Sequence, residues 1–150
     1  MQLPMIGQRL AIELRSADLV SAGLTYAYYP APSKLVIDAP AAVVFAQTGE
    51  APPWSEQIWH HEYLVRLMVP ARGSVAAEIN ALEPLVMPIW DHFRPNSLAS
   101  RLQVTGEAGQ VHHCYPVRYL ASQQVDYAGS PFGVIDITFD IKAHRYPGDA

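Results

Sequence analysis

The sequence predicts an α+β fold: a mainly antiparallel sheet of four to five strands with two helices packed on one face. Three observations lead there. Two segments carry apolar residues at helical spacing, two others alternate apolar and polar residues over long runs, and turn residues separate them. The resulting order is helix, two or three strands, helix, two strands. Strands grouped in this way favour antiparallel neighbours over a parallel sheet with regular crossovers.

The first helix is expected over about residues 4–20. Ile6, Leu10, Leu14 and Ala17 fall on one side, while Arg9, Glu13 and Asp18 lie on others. Pro4 suits a first helical turn, and Gly23 a stop. Leu24 to Tyr29 is β-prone and ends at Pro30. Ala41 to Ala46 is nearly all apolar, as in a strand buried on both faces. Gln47 to Glu56, with Gly49, Pro52, Pro53 and Trp54, reads as a loop. Gln57 to Val69 is the best long strand. It puts Trp59, His61, Tyr63, Val65, Leu67 and Val69 on one face, and Ile58, His60, Glu62, Leu64, Arg66 and Met68 on the other.

Ser74 can cap a second helix whose buried side runs through Val75, Ile79, Leu82, Val86, Ile89, Trp90 and Phe93. Pro84 and Pro88 interrupt it, so a bent helix or two short ones meeting near Leu82 are expected. Arg94 to Arg101 adds a helical turn. Val111 to Val125 is a strand that Pro116 confines to an edge or a bulge. A turn over Ala128–Pro131 leads to the last strand, Val134 to Lys142. Ile135, Ile137, Phe139 and Ile141 point inward there, and Asp136, Thr138, Asp140 and Lys142 outward.

The chain's 150 residues fit one domain over 1–150. About six residues after His144 are expected to be mobile, since they carry Pro147 and Gly148. Half of the residues are hydrophobic and only 16% are charged, against about 25% in typical soluble domains. Many surface positions must therefore be neutral, and such surfaces are often covered by partners. A net charge of −4 gives no basic footprint for groove-tracking nucleic-acid binding. The longest uncharged run, Leu19 to Ser33, falls short of the ~18 residues of a membrane span and contains two prolines. Arg9, Glu13 and Arg15 interrupt the apolar start, so a secretory signal is not expected and a chain made in the cytoplasm is.

Candidate chemistry is sparse. His60 and Glu62 share one strand face, and His112 and Cys114 share a face of a later strand. Paired in register, the four could hold zinc, or serve a small metal-dependent or thiol enzyme. The alternative is ordinary polar surface around a buried cysteine. Asp136 and Asp140 stand about 13 Å apart along their strand, too far for a glycosidase carboxylate pair, and read as a solvated face. Nucleophile-elbow, phosphate-loop and dinucleotide motifs are missing from the sequence. No catalytic residue, cofactor or metal is expected. Trp54 in its proline-rich loop is expected to touch another chain or a bound surface.

The order of features resembles the tail terminator, or tail completion, proteins of long-tailed bacteriophages. The likeness spans about residues 5–143. Thr25-Tyr-Ala-Tyr-Tyr-Pro30 and Ala39-Pro-Ala-Ala-Val-Val44 follow the first helix, and Leu67-Met-Val-Pro-Ala71 ends a long strand before the helix from Ser74. Val125-Asp-Tyr-Ala-Gly129 then leads into Val134-Ile-Asp-Ile-Thr-Phe-Asp140, a tyrosine-glycine turn before a terminal strand. The prolines of the second helix and the His-rich strands depart from the family pattern.

The resemblance implies a non-enzymatic structural protein of the virion, assembled in the host cytoplasm. It would form a hexameric ring on the head-proximal end of the tail tube, stop further addition of tube subunits and join the head connector. Its partners would be its own copies, the tail tube protein and the head–tail connector or stopper. DNA would pass through without specific binding, and no membrane would be involved. Trp54, Pro52, Pro53, Glu56, Tyr28 and Tyr29 are then the interface candidates, and Asp136 and Asp140 the channel-facing ones. Another neck ring protein, a head-closure protein or connector adaptor, is the alternative within the same class.

Overall fold

In the computed structural model, residues 3–16, 25–28, 41–50, 58–71, 75–95, 97, 99–101, 111–127 and 130–144 are described. The elements are α1 (Leu3–Ser16), β1 (Thr25–Tyr28), β2 (Ala41–Glu50), β3 (Ile58–Pro70), α2 (Val75–Leu82), α3 (Val86–His92), β4 (Val111–Tyr127) and β5 (Ser130–His144). Short 3-10 turns at Glu83–Leu85 and Ala99–Arg101 complete the set. One five-stranded sheet runs in the order β1-β2-β3-β5-β4. Every pairing is antiparallel except β1 with β2, which is parallel. The α+β class, the mainly antiparallel sheet and the helices on one face all agree with the expectation.

The core forms where the two periodicities meet. Ile6, Leu10 and Leu14 of α1, spaced by four, turn one stripe onto the sheet. From the other side of the helical layer come Leu82, Leu85, Val86, Ile89 and Phe93. Beneath them lie Tyr63, Val65 and Leu67 of β3 and Ile135, Ile137, Phe139 and Ile141 of β5, the inward sets of both alternating strands. Phe93 meets Phe139 edge-on at 4.9 Å between ring centres. His92 Nε2 lies 2.9 Å from Glu13 Oε1, tying α3 to α1. A smaller cluster of Val43, Met68, Phe132 and Val134 forms on the sheet's opposite face.

The prolines act as the sequence suggests. Pro84 falls at the start of the 3-10 turn and Pro88 in the first turn of α3. First-turn N–H groups have no intrahelical acceptor, so neither ring breaks a bond; the chain bends at Glu83–Leu85 instead. Pro116 lies in edge strand β4, with a register shift between it and Arg118. In two places the expectation fails: Ser130 and Pro131 already belong to β5 rather than to the expected turn, and Gln47 to Glu50 continue β2 rather than opening a loop. A register shift between Ala46 and Thr48 absorbs Gln47 and lets the ladder reach Glu50 opposite His60. Residues 17–20 of the expected first helix, the Ser74 cap and the tail beyond His144 lie outside the described residues.

Candidate functional site

The sheet face turned away from the helices carries the polar constellation. Register sets its geometry. Arg66 of β3 stands directly opposite Asp136 of β5, and Glu62 opposite Asp140. Arg66 Nε and Nη2 donate to the two Asp136 oxygens at 2.8 and 3.0 Å. This is a bidentate pair, and Asp136 is only 8% exposed. Like charges opposite each other, as at Glu62 and Asp140, are unfavourable unless other groups answer them. Here His60 from β3 contacts Asp140 Oδ1, while His113 from β4 approaches Oδ2 at 2.8 Å. A carboxylate only accepts, so each imidazole presents an Nε2–H to it. His113 is stacked on Tyr115, with ring centres 4.7 Å apart. Arg118 reaches across β5 to within 3.6 Å of Glu62.

Asp136 and Asp140 therefore do lie on the outward side of β5, but they are not a solvated face. Desolvated carboxylates are costly unless paired, and the neighbouring strands supply Arg66, His60 and His113 for that purpose. Their oxygens are engaged within the chain, which is what overturns the solvated-face expectation.

The proposed His60, Glu62, His112 and Cys114 set is not brought together. β5 separates β3 from β4, so the two pairs never share a ladder. Cys114 lies opposite Ile141 within the main core, on the helix side, and is fully buried. Burial first, then Glu13 and Asp140, pushes its thiol well above the ordinary cysteine range, so it is a core residue rather than a nucleophile. His112 has its backbone in β4, and nothing of its side chain is described. Among the described residues, no group of three His, Cys, Asp or Glu side chains could hold a metal ion. No protein-family model matches the chain, and no curated protein matches it significantly. No helix among the described residues is long and apolar enough to cross a membrane.

Trp54, Pro52, Pro53, Glu56 and Tyr29 lie outside the described residues. Tyr28 ends β1, and only its backbone is described. Among the described residues, the large exposed apolar groups are Val117, Tyr119 and Leu120 on β4, Met87 on α3 and Ile12 on α1. Sequence reasoning passed over Val117 to Leu120. The available signal was the group Val117, Tyr119 and Leu120, broken by Arg118, directly after Pro116 on a strand expected at an edge or with a bulge. The pairing of Arg66 with Asp136 had no such signal, because only the register joins two residues seventy positions apart.

Proposed function

We propose that this chain is the subunit of a ring in the neck of a long-tailed phage, a tail terminator that caps the tail tube and joins it to the head connector. One observation carries the reading. Val117, Tyr119 and Leu120 stand exposed along the edge strand β4, Tyr119 toward the helix side and Leu120 toward the other, Leu120 at 59%. A chain with so few charges that leaves such a band uncovered has a surface suited to burial against another subunit. The order of elements, with an N-terminal helix, a long central strand, a helical layer and a terminal hairpin, agrees with the resemblance in the sequence. The side chains of the polar face favour a structural role as well, because Arg66, Asp136, Asp140, His60 and His113 are engaged with one another.

The phenotype of a phage lacking this chain tests the reading. A terminator's loss leaves tube growth unchecked, so overlong tails detached from filled heads are expected. Tails of normal length in the absence of the chain contradict termination, and normal head–tail joining as well contradicts any role in the neck.

A further inference from the structure

Resting on the ring reading, we propose that the β4 band of one copy packs against the outer face of α2 and α3 of the next copy, as a head-to-tail contact. The two surfaces are of opposite character. The band presents Val117, Tyr119 and Leu120 with one exposed charge among them, Arg118. It wraps the sheet edge: Tyr119 lies in register with core-facing Ile137 and Leu120 with outward Asp136. Tyr119 also meets Trp90 of α3 edge-on at 6.1 Å.

The solvent side of the helical layer should be rich in charge if it only met water. Among its charges it also exposes Pro84, Met87 and Pro88, with Met87 61% exposed. Glu83 and Asp91, both exposed, flank Met87 at steps of four residues. One surface is thus apolar with a cation that is 60% exposed and meets Glu62 of its own chain only at 3.6 Å, the other apolar with two anions. Asp126 lies further along β4 beyond a second register shift, and Arg94 lies past the end of α3.

Charge decides how copies meet. Two β4 bands face to face would bring Arg118 against Arg118, and two helical faces would set acid against acid. Band against helical face pairs Arg118 with Glu83 and Asp91. That contact joins two different surfaces of one subunit, and such a contact closes into a ring when its rotation closes. Pairing of strand edges is a poorer solution. Pro116 and the register shifts at Pro116/Arg118 and Leu120/Gln123 interrupt the ladder edge, so side chains make the contact.

The test uses Met87→Lys and Leu120→Asn, both at exposed positions. The first sets a cation between Glu83 and Asp91 of its own helical layer, and the second adds no charge opposite Asp136. Sedimentation of the full chain at high concentration should show wild-type oligomers and a monomer for each variant alone. Mixed together, the variants should form a one-to-one dimer and nothing larger, because each retains the surface the other lacks. Arg118→Glu should weaken assembly about tenfold, and adding Glu83→Arg and Asp91→Arg should recover it. Self-association of either single variant at the wild-type level overturns the contact. A mixture that stays monomeric, or a wild-type chain that never self-associates, overturns it equally. If all variants assemble normally while the chain is still found at tail ends, the contact fails and the ring reading stands. A monomeric chain absent from tails ends both.

Discussion

Single residues show how far burial rather than residue type decides behaviour. His61 faces the helices and is nearly buried, beside Tyr63 at 6.4 Å between ring centres. In register its neighbours are Gly49 and Ile141, neither of which titrates. Burial, and then His60 beside it, lowers its pKa below the ordinary 6.5. Between that lowered value and 6.5 the unfolded chain binds a proton that the folded chain resists, so stability rises with pH through the window and is lost on acidification. Urea unfolding at about pH 7.5 and about pH 5 should therefore show a smaller acid loss for His61→Gln than for wild type. Equal losses would mean that His61 is not the group responsible. His60 and His113 remain in both proteins, so the comparison isolates His61. The alternation of β3 made the facing of His61 legible in the sequence. The carboxylate partners of His60 and His113 were not, because they depend on which strand lies between β3 and β4.

At the scale of elements, α2 is seated on the sheet through one close approach. A Cβ on Gly133 would lie 2.7 Å from the Cβ of Glu78 and 2.5 Å from its Oε2. The Glu78 carboxylate is buried there, and among the described residues neither oxygen has a hydrogen-bond partner. Gly133→Ala should thus lift α2 from β5 and cost about 1–3 kcal/mol in chemical denaturation, the usual range for overpacking. Adding Glu78→Ala should recover only part of that loss, because it removes the carboxylate but keeps the offending Cβ. With Glu78→Ala alone as the reference, a Gly133→Ala change that costs nothing further would show that the carboxylate alone makes the contact. Periodicity revealed β3, β5 and the bent helical layer, since each buries one face and displays the other. The continuation of β2 to Glu50 was hidden by Gly49 and the register shift, both of which read as a loop in sequence. Pro116 pointed to an edge or a bulge, because it has no N–H to donate, and β4 shows both: it is the edge strand, and its register shifts between Pro116 and Arg118.

For the whole molecule, alternating strands and a helical stripe were enough to give the α+β sheet with its covered face. The polar site was less legible: its residues were noticed singly, yet β5 lying between β3 and β4 rearranged their partners. That insertion dissolved the supposed zinc set and joined Asp140 to two histidines instead. It also left β4 at the edge of the sheet with Val117, Tyr119 and Leu120 exposed along it. Electron cryo-microscopy of isolated tails, with this chain located in the density, tests the central claim most directly. A closed ring of copies at the head-proximal end of the tube is expected, with each β4 band covered by a neighbour. Tails whose head-proximal end holds no copy of the chain would contradict it.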